Sequence, residues 1–143
     1  MKKSIFAKLF VVASLLFTVV ACNKYEEGSN FSLLTAKARV SNNWTSTSYS
    51  VVSSFATVTS DESALNIQKD GSYTHVGTML SLPFDEVGTW QFNGDKTQLL
   101  LTEVGGTAET WDIIKLKNKE LKLTKTETLF GIEYTITIDY SGE

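Results

Sequence analysis

The sequence predicts an all-β fold, an eight-stranded antiparallel up-and-down barrel preceded by a short N-terminal helix. From Trp44 onward, apolar and polar residues alternate with the two-residue period of a β-strand. Short turns rich in Gly, Asn and Asp separate these stretches, as is typical of hairpins. Strands linked in this way avoid exposed edges by closing into a barrel or by stacking as two sheets, and short successive hairpins favour the barrel.

The first 21 residues have the features of a secretory signal peptide. Lys2, Lys3 and Lys8 make the start basic, and a mostly apolar run over residues 9–20 follows them. That run is shorter than the roughly 20 apolar residues that a membrane-spanning helix needs. A basic start, a short apolar stretch and a small residue before the cleavage point describe a signal peptide, so we expect residues 1–21 to be removed.

The only cysteine of the chain follows this segment directly. The stretch Val19-Val20-Ala21-Cys22 resembles the bacterial lipobox, which is aliphatic, tolerant, small and then Cys. The resemblance implies cleavage before Cys22 and acylation of its sulfur and of its new amino group; the alternative is an ordinary signal peptide followed by an unrelated cysteine. Stable anchoring takes at least two acyl chains, so a di- or triacylated Cys22 would hold the protein on a membrane. We expect residues 22–30 to form the acylated tether and residues 31–143 to form the barrel domain.

The mature chain is acidic. Removal of residues 1–21 takes away three of the 13 basic residues and none of the 16 acidic ones, which leaves a net charge of −6. An acidic surface without basic patches argues against nucleic acid as a partner and against electrostatic membrane binding. With Cys22 acylated, no thiol is left for a disulfide, a metal site or nucleophilic catalysis.

The elements follow in order along the chain. In "NFSLLTAKARV", Asn30 or Ser32 is expected to cap a short helix with Leu33, Leu34 and Ala38 on one side. The first strand is expected near residues 44–52, although the boundaries within the Ser- and Thr-rich region 42–60 stay open. The next seven predicted strands are "SALNIQ", "SYTHVGTMLSL", "EVGTWQF", "TQLLLTE", "TAETWDIIKL", "ELKLTKTETL" and "IEYTITIDY".

Two local features refine this pattern. The strand "WDIIKL" is apolar at Trp111 and Ile113 and then at Ile114 and Leu116, and this change of phase predicts a bulge or a strand buried on both faces. The sole proline, Pro83, is expected between strands or at a sheet edge, because it has no N–H to donate.

Several stretches together resemble the lipocalin-like lipoproteins of Bacteroidetes. They are "SLLTAKARVSNNW", "KDGSY", "VGTWQFNGDKTQLLLT" and "WDIIKLKNKELKL", and the resemblance covers about residues 31–140. It implies that Trp44 plugs one barrel end under the helix and that Gly88-Thr89-Trp90 lies in an internal strand. It also implies a bacterial outer-membrane location and, at most, binding of a small molecule or a partner. Glu26 and Glu27 resemble the acidic signal that exports such lipoproteins to the cell surface; the alternative is a solvated tether with two chance acids, on the periplasmic face.

Catalytic chemistry has little support in the sequence. The chain lacks G-x-S-x-G, H-E-x-x-H, a glycine-rich phosphate loop and any Cys/His cluster, so we expect no enzyme, no cofactor and no metal site. His75 is the only histidine, and we expect it on a strand surface or in the lumen. Adjacent strand residues point to opposite faces, so Asp85 and Glu86 are expected to have a loop role rather than to act as a carboxylate pair.

The interior of the barrel is the expected binding site. An eight-stranded barrel is filled by side chains or holds one small ligand. The large residues expected to face inward therefore either line a shallow apolar pocket or fill it. The predicted lumen residues are Trp90, Phe92, Leu99, Leu101, Trp111, Leu121, Ile136 and Ile138.

Two functions follow from these alternatives. An open lumen predicts a membrane-anchored module that binds a small apolar or amphipathic molecule. A filled lumen predicts a non-catalytic surface accessory that binds a protein or a glycan, for which the hydroxyl-rich stretch 46–60 is the motivation.

Overall fold

The computed structural model describes Tyr25 and residues 33–59, 61–79 and 81–143. These residues form one short helix and nine β-strands. The elements are α1 (Ala36–Val40), β1 (Asn43–Ser53), β2 (Thr57–Val58), β3 (Ser63–Ile67), β4 (Ser72–Met79), β5 (Leu82–Phe92), β6 (Gln98–Glu103), β7 (Ala108–Leu116), β8 (Glu120–Leu129) and β9 (Ile132–Gly142). No helix in this described part of the chain is long and apolar enough to cross a membrane.

The strands form a closed antiparallel barrel. From β3 to β8, each strand pairs with the one that follows it along the chain. Strand β1 pairs with β3 on one edge and with β9 on the other. The last contact closes the sheet, from Trp44 opposite Gly142 to Ser53 opposite Tyr134. The predicted eight-stranded up-and-down barrel with a short helix is therefore confirmed.

The ninth strand is one piece of a broken strand. Val51 of β1 pairs with Val58 of β2, and Thr45 of β1 pairs with Ala64 of β3, so both short strands keep the same register against β1. They are two parts of a single hairpin partner, interrupted between residues 58 and 63. This break lies in the region where the sequence left the strand boundaries open.

The helix begins later than expected. Thr35 caps α1, and its hydroxyl oxygen accepts a hydrogen bond from the backbone N–H of Ala38 at 3.1 Å. Leu33 and Leu34 precede the helix and are exposed, so the prediction that they share one side of it with Ala38 is wrong. The reason is that Thr35 offers a capping hydroxyl three residues before the N–H of Ala38. Asn30 and Ser32, the expected caps, lie outside the described residues.

One end of the barrel is closed by α1, and we call it the closed end. Trp44 is fully buried there, and its indole N–H donates to the carbonyl oxygen of Val40 at 2.8 Å. The guanidinium of Arg39 donates to the carbonyl oxygen of Leu116 at 2.8 Å, which ties α1 to the end of β7. The turns β3–β4, β5–β6 and β7–β8 lie at this end, and the other hairpin turns lie at the opposite, open end.

Two local predictions agree with the structure. The register between β7 and β8 shifts between Ile113 and Lys115, at the place where the hydrophobic phase changes. Pro83 lies near the start of β5 opposite Thr78, in the part of β5 that pairs with β4 but not with β6. It therefore occupies a local edge, where no N–H is required of it.

Candidate functional site at the open end

Large apolar side chains are exposed at the open end. Most of them lie on three hairpins, β1–β2, β4–β5 and β8–β9, and Val104 lies in the β6–β7 turn. Single exposed apolar residues elsewhere on a surface are ordinary. We call this set the apolar rim: Phe55, Met79, Leu82, Leu129, Phe130 and Ile132. Phe130 is 95% exposed, so the rim presents uncovered aromatic surface to the solvent.

The β8–β9 turn holds Phe130 in an unusual backbone conformation. Leu129 pairs with Ile132, so the turn has two residues, Phe130 with φ 52° and Gly131 with φ 80°. Positive φ at both positions is the pattern of a type I′ turn, in which Asn, Asp or Gly is preferred. The backbone conformation at the first position is therefore unfavourable for Phe130, and the side chain is nevertheless exposed to solvent.

A mostly apolar cleft lies beneath the rim, and we call it the mouth cleft. Its volume is about 230 Å³, and it is lined by Val51, Ser53, Ala56, Val58, Met79, Leu129, Phe130, Ile132 and Tyr134. This volume is somewhat below the ~300–1,000 Å³ of drug-sized ligand pockets, so the cleft suits a short alkyl chain or a small ring.

Charged side chains lie at the polar edge of the mouth cleft, and Tyr134 connects the two. The Tyr134 hydroxyl donates to Glu127 at 2.6 Å. The ammonium of Lys125 lies 2.7 Å from Glu127 and 2.8 Å from Glu109, and it lies 4.6 Å from the centroid of the Trp111 ring. Lys125 is 10% exposed, whereas the two carboxylates are 41% and 40% exposed. We call Glu86, Glu109, Lys125 and Glu127 the charged belt.

The pKa values follow from these contacts. Burial disfavours the charged forms of Lys125 and Glu127, but their hydrogen bonds and opposite charges outweigh burial. Glu109 and Glu127 raise the pKa of Lys125, and Lys125 and Tyr134 lower the pKa of Glu127. The hydrogen bond to Glu127, followed by burial, raises the pKa of Tyr134 to about 12. Burial raises the pKa of Tyr49 to about 12, and the charges of Asp61, Glu86, Glu109 and Glu127 add to it. The interior beneath the rim therefore has a negative potential.

His75 takes part in a buried chain of hydrogen bonds. Its Nε2 lies 3.2 Å from the Tyr140 hydroxyl, which lies 2.9 Å from the Ser63 hydroxyl. Its Nδ1 faces Glu86 at 3.6 Å, and its ring meets that of Phe84 edge-on, with centroids 4.8 Å apart. His75 is thus a lumen residue, one of the two places expected from the sequence.

Glu86 does not have the loop role expected for it. Asp85 and Glu86 both lie within β5, opposite Val76 and His75 of β4. Because β4 continues to Met79, β5 begins earlier than the sequence pattern indicates and includes both acids. Glu86 shares the inward face with His75, and Asp85 points to the outer face.

A second cleft opens in the wall of the barrel, where β2 and β3 are interrupted. This wall cleft has a volume of about 610 Å³ and is lined by Thr45, Ser46, Thr47, Ser48, Tyr49, Thr59, Asp61, Glu62, Ser63, Ala64, Val76 and Gly77. The backbone N–H of Thr78 donates to the carbonyl oxygen of Glu62 at 2.8 Å. This hydrogen bond holds the segment before β3 next to β4. A Cβ on Gly77 would lie 2.8 Å from the Cα of Ser63, so this approach needs glycine.

The lumen residues predicted from the sequence form the packed core. All but Phe92 are at most 7% exposed, and Phe92 packs against them. None of the eight lines the mouth cleft or the wall cleft, although Trp111 also reaches the charged belt. Their role as ligand contacts stays a prediction. Cys22, Glu26 and Glu27 lie outside the described residues.

The charged belt was missed, although the sequence contained a signal for it. Glu109 precedes Trp111 by two residues, and Lys125 and Glu127 follow Leu123 by two and four. Inward-facing residues recur at this spacing along a strand. Extending the alternation past the apolar residues would have placed all three charges inside the barrel.

No group of three His, Cys, Asp or Glu side chains in the described part of the chain is arranged to hold a metal ion. The chain matches no known protein-family model, and no curated protein is significantly similar to it.

Proposed function

We propose that the protein binds a small amphipathic molecule at the open end of its barrel and that an acylated Cys22 anchors it to a membrane as a lipocalin-like lipoprotein. One observation carries the binding proposal: the apolar rim adjoins a charged belt through Tyr134, which lines the mouth cleft and donates to Glu127. An apolar body would contact the rim, and a polar group would reach the belt. The function is non-catalytic and requires no cofactor.

The charges of the belt favour a cationic polar group. Two carboxylates of the belt, Glu109 and Glu127, hold its single ammonium, Lys125, and the third carboxylate, Glu86, faces His75. The raised pKa of Tyr49 has the same carboxylates among its causes. In a partly desolvated site, an added cation gains from this potential and an added anion loses.

Three probes with the same alkyl chain test the proposal. Isothermal titration of residues 22–143 carrying Cys22→Ser is done with decylammonium, 1-decanol and decanoate. We expect decylammonium to bind at least about tenfold more tightly than decanoate, a difference of about 1.4 kcal/mol, with decanol between them. Binding of all three with equal affinity would contradict the charge preference, and binding of none would contradict the ligand site.

The anchor rests on the sequence and is tested separately. Incorporation of a radiolabelled fatty acid should require Cys22, and Cys22→Ser should release the protein from the membrane fraction. For export, replacement of Glu26 and Glu27 by Ala should remove the protein from the reach of protease on intact cells while leaving it on the outer membrane. A Cys22→Ser protein that stayed in the membrane fraction would show that another feature anchors it.

The wall cleft supports the second candidate function, a surface accessory that binds a glycan or a protein. Seven of its twelve lining residues carry hydroxyl groups, and two carry carboxylates, which suits hydrogen bonding to a polyhydroxylated ligand. A glycan array compares the protein with Thr59→Val, whose exposed side chain lies at this cleft. Glycan binding that Thr59→Val weakens would favour this function, and the absence of any glycan signal would count against the glycan form of it.

A further inference from the structure

We infer that Tyr25 holds the closed end of the barrel against the bilayer, so that the open end and its mouth cleft face away from the membrane. The inference rests on the acyl anchor at Cys22 and assigns the closed end a partner, an anionic lipid surface.

Tyr25 is fixed to the barrel. It is 3% exposed and belongs to the hydrophobic core, and its hydroxyl donates to the carbonyl oxygen of Lys96 at 3.2 Å. Lys96 lies in the β5–β6 turn, at the closed end. Burial raises the pKa of Tyr25, and the charge of Arg39 in α1 opposes that rise. A residue within the range expected to be a tether is thus part of the folded domain.

The chain between the anchor and Tyr25 is too short to let the barrel turn over. Only two residues, Asn23 and Lys24, separate Cys22 from Tyr25. Three residue steps span at most about 11 Å, even when fully extended. Strand β9 has 11 residues. At ~3.3 Å per residue and a tilt of ~35–45°, the open end lies about 25–30 Å from the closed end along the barrel axis. The acyl chains therefore insert beside the closed end.

The closed half of the barrel is less negatively charged than the open half, as expected if the closed end faces an anionic membrane. Among the described residues, the closed half carries eight bases and six acids, a net charge of +2. Its bases are Lys37, Arg39, Lys69, Lys96, Lys115, Lys117, Lys119 and Lys122, and its acids are Asp70, Asp95, Asp112, Glu120, Asp139 and Glu143. The described open half carries one base, Lys125, and eight acids: Asp61, Glu62, Asp85, Glu86, Glu103, Glu109, Glu127 and Glu133. Its net charge is therefore −7. An anionic headgroup layer attracts nearby lysines and repels this acidic half within about a Debye length.

The order of charges along the chain does not show this difference between the two halves, and acids lie beside the lysines of the closed end, as Glu120 does beside Lys117. The lysines come from four separate segments, with acids between them in the sequence. An up-and-down barrel places every second turn at the same end, so charges that alternate along the chain separate in space.

The test uses the acylated full-length protein in phosphatidylcholine–phosphatidylglycerol vesicles whose lipids carry a headgroup nitroxide. A single fluorophore is attached at Lys119→Cys, in the exposed β7–β8 turn, or at Thr128→Cys, on an exposed residue near the β8–β9 turn. The acylated Cys22 offers no competing thiol. Because the two positions are separated by most of the barrel length, we expect quenching at residue 119 to be at least about threefold stronger than at residue 128.

Two further variants test whether Tyr25 sets the orientation of the barrel. Tyr25→Ala should bring the quenching ratio toward about one while the protein stays on the vesicles, because the tether then lengthens to include residues 23–35. Phe55→Ala, an exposed change at the open end, should leave the ratio unchanged. Near-equal quenching at both positions in the unaltered protein, or a ratio that Tyr25→Ala does not change, would overturn the inference. Vesicle flotation of Cys22→Ser reports the anchor by itself, so a failed anchor is distinguished from a failed orientation.

Discussion

Phe130 combines, at the scale of a single residue, an unfavourable backbone conformation with a proposed role in binding. Its positive φ costs roughly 1–2 kcal/mol for a residue with a Cβ, whereas Asn tolerates this position of a type I′ turn. We expect Phe130→Asn to raise the free energy of unfolding by about 0.5–1 kcal/mol, measured by urea denaturation. We also expect it to weaken decylammonium binding about tenfold, because the rim loses its most exposed aromatic side chain. A variant that is more stable and binds equally well would exclude Phe130 from the site.

Gly88 shows how closely neighbouring strands approach. A Cβ at this position would lie 2.8 Å from the carbonyl carbon of Thr102, which is backbone and cannot rotate away. We expect Gly88→Ala to lower the free energy of unfolding by about 1–3 kcal/mol. Gly94→Ala is the matched control, because nothing lies within 4 Å of its Cβ position, and it should be close to neutral. Equal effects of the two substitutions would show that the crowding at Gly88 relaxes freely.

At the scale of elements, the pairing of β7, β8 and β9 makes stability depend on pH. Hydrogen bonds with Lys125 and Tyr134 lower the pKa of Glu127 below its ordinary 4.5, although burial opposes this. A carboxyl whose pKa is depressed by folding stabilises the fold above its unfolded pKa, and this contribution is lost as the pH falls through the folded value. We therefore expect Glu127→Gln to cost about 0.5–1 kcal/mol at pH 7, an amount kept small because Glu127 is 40% exposed.

The same variant should lose less stability than the unaltered protein as the pH falls below 4.5, followed by urea denaturation at each pH. Glu133→Gln, which removes an exposed carboxylate near the start of β9, should show the acid sensitivity of the unaltered protein. Parallel pH profiles for all three proteins would rule out a stabilising role of Glu127.

Much of the element plan could be predicted from the sequence, because alternation and turn residues act locally. The strand order, the bulge in β7 and the edge position of Pro83 all follow from that pattern. The break between β2 and β3 could not be predicted, because it depends on hydrogen bonds to residues 16 to 20 positions away, Thr78 to Glu62 and Ser81 to Asp61. The helix cap at Thr35 was missed because several capping residues compete in that segment.

For the whole molecule, the residues predicted to face the lumen pack the interior of the barrel, and the candidate site lies nearer the open end. Hydrophobicity alone selects large inward residues but does not show which barrel end is covered. That is decided by α1, whose last residue, Val40, accepts a hydrogen bond from Trp44. The apolar rim could not be recognised because its residues come from three hairpins that only the closed barrel brings to one end.

The interrupted strand has a mechanical consequence. β1 is joined to β9 from Trp44 to Ser53, but it is joined to β3 only from Asn43 to Thr45. On that edge β1 is otherwise paired only with β2, at Val51 and Val52. Local opening begins where the fewest backbone hydrogen bonds must break, so we expect the stretch of β1 between these two pairings to open before the edge that β1 shares with β9. Amides of β3 should accordingly exchange with solvent before those of β9.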